Sequence, residues 1–498
     1  MKNSIMKIII VLFITLLFVS SATSLTIQKE AIVDEDISTT GFDFFRDKNK
    51  IEIISPISTI PVFVELDTNF TIKFTCEDFE NIYVKITTAY ENIEDEFWLE
   101  VADLSDEDDF WYATVEVPNL IPIELYNLTI VALIDEEYYF DSEPRAVSII
   151  DEFSDDFNFI HITDLHVGDI RGFEESIRET LFQRSIKRCI KEINLLQPDF
   201  VIISGDLVFG QYYPGEYRVE YKKCYDIIQM FDVPTFLAPG NHDGYRRLTE
   251  DGLRYWEEYF GPLYYSFDYG DFHFLSINSF DHSPLKRLTI GLVPLNWGGS
   301  ISDEQLEWIE ADLEETTDAN LTFMFMHHNP LWDTKKDSLI GTSYQNRENL
   351  LGLIDDFNVS MVLAGHNHVD TVNTENDTIF LTTTTPESSI RNEEGYWGYR
   401  LIEINDSEIS SYNYKEPRFS IPSYKLNVEY DGLYSATITN DLEMDVKILL
   451  KFSVPIRPYS VENGDIVMVR TSGIRNQYYI KANVSKESEK KVSLTYIS

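Results

Sequence analysis

Cysteine is nearly missing from this chain: Cys76, Cys189 and Cys224 are the only three in 498 residues. So few exclude a disulfide-built scaffold, and stability has to come from packed apolar cores. Basic residues are scarce as well, with Lys+Arg 40 against Asp+Glu 85 and a formal net charge of −45. Phosphate backbones are held by Lys and Arg through counterion release, so this surplus of carboxylate argues against a nucleic-acid partner. Beyond the N-terminal run, no stretch is apolar and long enough to span a bilayer. Histidine is absent from both ends, since all nine lie between His161 and His368. Chemistry is therefore expected in the middle of the chain, with binding or structural roles at its ends. What is plentiful is apolar and aromatic: 43% hydrophobic and 14% aromatic residues exclude global disorder. At roughly 100–200 residues per domain the length predicts about two to four domains.

The N-terminus carries Lys2 and Lys7, then a run from Ile8 to Val19 that is apolar except for Thr15, then small residues from Ser20 to Ser24. That order predicts a signal peptide over residues 1–24 with cleavage before Leu25, and an extracellular or cell-surface protein with no stable membrane span afterwards. The alternative is an N-terminal membrane anchor, for which the run is short of the usual ~20 residues. Asn-x-Ser/Thr sequons such as Asn69, Asn127 and Asn483 agree with export.

Residues 25–50 are polar and unpatterned, which predicts a linker. Over 51–150 the apolar period is two, as in Phe70, Ile72, Phe74 and Cys76, or Ile82, Val84 and Ile86. This predicts an immunoglobulin-like β-sandwich, with the acidic stretch from Asp103 to Asp109 as a solvated loop. Over 155–416 strands alternate with helices. Strands are predicted at 157–163, 199–204, 235–238, 321–326 and 360–364, and helices at 174–196 and 216–231. A capping box, Ser302-Asp303-Glu304-Gln305, opens another helix to about Glu315. The runs 379–384, 399–404 and 409–414 are expected to complete a second sheet. Period two returns over 420–498, predicting a small C-terminal β-domain.

Each buried strand of the middle region ends in donors of one chemical kind. The five ends are Asp164-Leu165-His166, Gly205-Asp206, Gly240-Asn241-His242-Asp243, Met326-His327-His328 and Gly365-His366-Asn367-His368. Carboxylates, imidazoles and an amide placed just past apolar strands suit Zn, Mn, Fe or Co. Chemistry alone does not choose between the neighbours His327 and His328.

The ordered blocks D-x-H, GD, GNH(D/E), H and GHxH resemble the calcineurin-like metallophosphoesterases. The resemblance implies an α/β fold, a four-layer α/β/β/α domain flanked here by N- and C-terminal β-sandwich domains. It also implies two divalent metal ions. Asp164, His166 and His368 would hold the first, Asn241, His327 and His366 the second, and Asp206 would bridge, since a carboxylate has two oxygens to share between cations ~3.5–4 Å apart. His328 is left as a neighbouring or substrate-facing imidazole. His242 matches the family's catalytic histidine and would act on the leaving oxygen, with Asp243 either orienting it or serving the turn. Phe209 stands where the purple acid phosphatase branch has its tyrosine ligand, so the metal site resembles the phosphodiesterase-type branches instead.

The implied function is an exported hydrolase of phosphate mono- or diesters, working by attack of a metal-bridging hydroxide. Candidate substrate contacts are Arg246 and Arg247 foremost, then Lys286, Arg287, Lys335 and Lys336. A small phosphate-ester substrate is expected, and no nucleic acid, because bulk repulsion disfavours long polyanions. His161 and His273, inside strands, are expected to be packed or surface residues. The alternative function is a non-catalytic surface or adhesion protein that retained the fold; such a relative should have lost ligands.

Overall fold

A computed structural model describes residues 50–89, 95–169, 181–211, 215–247, 249–290, 293–331, 344–386, 397–415 and 418–497. The signal segment, nearly all of the linker, the first turns of the helix expected from Glu174, and Lys335 and Lys336 lie outside them.

The N-terminal region is all strand. Eight strands between Ile51 and Ile150 form one continuous path of pairings, and alternate side chains point inward, so Thr68–Cys76 buries Phe70, Ile72 and Phe74. The strand Glu96–Glu107 is shared: its first half pairs with Asn81–Thr88 and its second with Phe110–Val117. The acidic stretch expected as a loop is mostly the exposed second half of this strand. Asp108 and Asp109, at φ 50° and 69°, make the hairpin turn, where two consecutive left-handed residues match the twist of the flanking strands.

Two sheets form the middle of the molecule. One runs in the order Thr235–Ala238, Phe200–Ser204, Phe157–Ile162, Gly398–Asn405, Glu408–Ser411, and its first three strands are parallel. The other runs Tyr265–Tyr269, Phe272–Ile277, Leu321–Met326, Met361–Ala364, Thr378–Thr382, Thr371–Glu375. Strands 398–405 and 408–411 therefore complete the first sheet, not the second as the sequence suggested. Gly398–Asn405 pairs antiparallel with Phe157–Ile162, bringing Leu401 opposite Ile160.

An aromatic core joins the sheets, with Phe159 stacked on Phe200 at 5.0 Å and meeting Phe274 and Phe323 edge-on. Ile60 and Phe63 of the N-terminal region also pack into it. Helices Asp303–Glu315 and Arg347–Asp356 bury Ile309, Leu313, Leu350 and Ile354 against Leu275, Met324 and Val362 of the second sheet. Ser302 caps the first of these helices by accepting from the Gln305 amide. The Gln305 carboxamide, however, turns to the backbone of Asn278 and makes no reciprocal cap.

The C-terminal region holds a four-stranded and a three-stranded antiparallel sheet. Arg470 reaches from it to Asp95 and Glu124 of the N-terminal region, and Lys451 meets Asp232 at 2.7 Å. Cys189 and Cys224 are buried and unpaired. Among the described residues no helix is long and apolar enough to cross a membrane.

Candidate metal centre

Within each sheet the donor-bearing strands are parallel and so end on the same side, three in the first sheet and two in the second, and the donors at those ends meet. Leaving a buried strand for a loop in one residue requires a sharp turn. Asp164, His166, Asp206, His366 and His368 all take it with φ between 47° and 73°, a left-handed conformation that non-glycine residues adopt at a cost. At Gly240 a Cβ would lie 2.3 Å from Asp206 Oδ1, so only glycine lets the third loop approach the second.

Asp164 Oδ1 stands 3.1 Å from His368 Nε2 and 3.6 Å from His166 Nε2. Its Oδ2 accepts from the His366 amide and the Thr163 hydroxyl. Asp206 Oδ2 lies 3.0 Å from His327 Nε2 and 3.5 Å from His166 Nε2, and thus between two imidazole groups. His327 Nε2 also meets His366 Nδ1 at 3.2 Å, while its Nδ1 is held by the Ser204 carbonyl. Asn241 donates its amide to Tyr245, which leaves Oδ1 buried and without a hydrogen-bond partner, as is Asp164 Oδ1. Orphaned acceptors and imidazole nitrogens in mutual contact are what a cation satisfies, and hard oxygen with borderline nitrogen fits the divalent metals inferred from the sequence.

Burial alone would raise the Asp206 carboxyl, but His327 and His242 beside it hold it well below the usual range. Burial works against the charge on His327 too, yet Asp206 and Asp164 raise it to about 9. Imidazolium and carboxylate thus pair with each other, and a cation bound here would take the place of the His327 proton.

His242 is oriented by backbone. Its Nδ1 meets the Phe209 carbonyl at 2.5 Å and its ring stacks on Phe209. It also brings a ring nitrogen within 4.8 Å of ligand atoms on His166 and Asp206. Burial pushes its imidazole down to about 4, against the pull of Asp206.

Two readings left open narrow to one, and two expectations need correction. Asp243 does not orient His242: its carboxylate accepts from the amides of Leu207, Val208 and Gly240, tying the second loop to the third. His328 does not face substrate, because it is buried with Nδ1 on Ser279 and Nε2 on the Trp297 carbonyl. Arg247 is buried against Glu216, at 2.6 Å. Arg246 turns towards Asp251 and is not among the residues lining the cleft over the cluster.

That cleft, about 430 Å³, is lined by His166, Asp206, Phe209, Gln211, His242, His366 and His368. Gln211 was missed by the sequence reading, and a polar residue five positions past Asp206 carries no signal of its own. Outside the cluster His161 binds two hydroxyls, His273 is clamped between Asp268 and Asp312, and His282 binds the Gly298 carbonyl.

Residues 157–370 match the family model of the calcineurin-like phosphoesterases. The chain is similar to a probable glycerophosphodiester phosphodiesterase of Arcobacter nitrofigilis, 28% identical over 46% of this chain and 79% of that protein. It is 24% identical to a probable cyclic nucleotide phosphodiesterase of a Synechococcus species, over 51% of this chain and 92% of the relative. One component of the nuclease SbcCD of Staphylococcus saprophyticus is 23% identical, over 50% of this chain and 66% of the relative.

Proposed function

Starting from the calcineurin-like phosphoesterase domain that this chain carries over residues 157–370, we propose that the protein is an exported two-metal hydrolase of small phosphate esters, with diesters preferred. Hydrolysis of phosphoesters with a metal is the activity of the domain's family. The observation that carries the finer reading is the arrangement about Asp206. Asp164, His166 and His368 gather on one side and His327 and His366 on the other, with the orphaned Asn241 Oδ1 as the remaining donor. Asp206 is then the shared ligand.

Two divalent cations (Zn, Mn, Fe or Co), when bound, supply Lewis acidity towards phosphoryl oxygens and lower the pKa of water. The chain's own residues do the rest. The Phe209 carbonyl accepts from His242 Nδ1–H and turns Nε2 to the cleft; protonated there, the ring would give that Nε2 proton to the departing oxygen and be left as the neutral Nδ1–H imidazole. The Phe209 ring shields the same imidazole from water.

Two relatives named as phosphodiesterases support the diester preference. The net charge of −45 supports a small substrate over a polynucleotide, although one relative is part of a nuclease. The alternative of a non-catalytic surface protein is disfavoured because every donor position is filled. We read the architecture as α/β/β/α over 155–416, between an immunoglobulin-like sandwich at 51–150 and a C-terminal sandwich at 420–498. Residues 1–24 are read as the export signal.

The test is metal analysis with a substrate panel after loading with Zn or Mn. Two ions per chain and faster hydrolysis of small diesters than of monoesters or oligonucleotides are expected. One ion at most sinks the two-metal centre, and preferred cleavage of an oligonucleotide sinks the small-substrate reading. His242→Ala should keep both ions and lose about 10²–10⁴-fold on an alkyl ester but much less on a nitrophenyl ester.

A further inference from the structure

Three residues of the helix Glu216–Ile228 converge on the loop that holds His242, and none of them lines the cleft. Glu220, 4% exposed, accepts the Gly210 amide on Oε2 at 2.8 Å. Tyr217 donates its hydroxyl to the His242 carbonyl at 2.7 Å. Glu216 pairs with Arg247, whose Nη2 also reaches the Gly210 carbonyl at 3.4 Å. The Phe209–Gly210 peptide is therefore fixed by Glu220 on its nitrogen, and its carbonyl oxygen is the one His242 Nδ1 touches.

The other oxygen of Glu220 sits against the first loop: a Cβ on Gly168 would lie 2.0 Å from Oε1. One buried carboxylate is thus wedged between the loop that follows His166 and the loop that follows Asp206. Burying a carboxylate is unfavourable unless its hydrogen bonds offset the lost hydration. Burial and the neighbouring Glu216 raise the Glu220 carboxyl to about 8, and an apolar residue would suffice if this position only filled space.

We propose that Glu220 is a positioning residue for the reaction: by holding the Gly210 amide it sets the Phe209 carbonyl against His242, which keeps Nδ1 as the N–H bonded to that carbonyl and Nε2 as the nitrogen that takes up and gives the proton on the cleft side. This rests on the reading of His242 as the group acting on the leaving oxygen. The mechanism is that of an outer partner fixing which ring nitrogen carries the proton. In metal sites such partners are worth about 10–100-fold when removed. Arg247, assigned to substrate from the sequence, belongs to the same brace.

The experiment uses full-length Zn-loaded protein and three variants, Glu220→Ala, Glu220→Gln and His242→Ala. It reads two things: the rate ratio between an alkyl and a nitrophenyl phosphodiester, and the ¹⁵N side-chain spectrum of His242, assigned by its loss in His242→Ala. Glu220→Ala should lose about tenfold or more on the alkyl ester with little change on the nitrophenyl ester, keep its metal, and lose the Nδ1–H signature. Glu220→Gln keeps an oxygen for the Gly210 amide and should retain both the ratio and the spectrum. If Glu220→Ala fails to fold, Glu220→Asp, shorter by one methylene, replaces it in both measurements. An unchanged His242 spectrum, or equal losses on the two esters, overturns the proposal. If His242→Ala itself shows no difference between the esters, the acid reading falls, while the spectrum still decides whether Glu220 sets the tautomer.

Discussion

Two of the buried charged clusters in this molecule are built in opposite ways. At the contact between the terminal β-regions, Arg470 lies between Asp95 and Glu124, and Tyr479 donates to Glu124, so opposite charges meet. At the strand ends of the middle region, Asp164 and Asp206 face four imidazoles, acceptor atoms are left without partners, and five donor residues hold left-handed backbone. In the first cluster the Glu124 oxygens and Asp95 Oδ2 meet Tyr479, Thr88 and Arg470, and the contact fastens one region to another. The second is incomplete without a cation, and the backbone cost it carries is the kind that persists where function requires it. What separates a structural ion cluster from a ligand site is whether its acceptors find partners within the chain.

The largest effect expected from this contrast is at the incomplete cluster. Asp206→Asn should lower turnover on the order of 10³-fold or more and reduce occupancy at both metal positions, read by elemental analysis. Asn241→Ala should empty mainly one. Retention of both ions in Asp206→Asn would end its role as the shared ligand. Next comes the Arg470 cluster. Arg470→Met leaves Glu124 and Asp95 facing each other and should cost about 3–5 kcal/mol in denaturant unfolding, with activity per folded molecule unchanged. Loss of activity there would blur the distinction between the two clusters.

Adding Zn at about 100 times its Kd should stabilise the apo protein by about 2.7 kcal/mol for each site filled, in thermal unfolding. An Asp206→Asn protein that gains as much would contradict the assignment.

The smallest effect comes from a third ionic group, His273 between Asp268 and Asp312. Burial lowers this imidazole, but the two carboxylates outweigh it and raise the folded pKa to about 9 from 6.5. A raised pKa means that the stabilisation is complete below the unfolded value and is lost as pH climbs through the folded one. Asp268 is largely exposed, which discounts the pair, so the stability difference between wild type and His273→Gln should shrink by about 1–2 kcal/mol between pH 6.5 and 9. A difference that grows with pH would show the imidazole to be neutral in the fold.

Much of this was legible in the chain because strand ends and ligands are local. An apolar run followed by Asp-x-His or Gly-Asp reads the same before and after folding. Several of the errors involve partners remote in sequence. Arg247 is captured by Glu216, 31 positions earlier, and His328 by Ser279, 49 positions earlier. The strand 398–405 is equally suited to either sheet by its own pattern, and its neighbour is chosen by which edge lies open, next to 157–162. Phe209 was legible as a residue that cannot ligate. That its carbonyl orients His242 was not, since backbone groups carry no sequence signature.

By itself, then, the sequence determined the kinds of donor atoms, their order along the chain and their position past buried strands, because residue type and hydrophobic period are local properties. Only the tertiary structure decided which donors converge. It set His327 beside Asp206 and His328 behind it, drew Arg247 into a buried pair, and engaged Asp243 with three amides. Those choices depend on distances across loops, and distances across loops exist only once the sheets have packed.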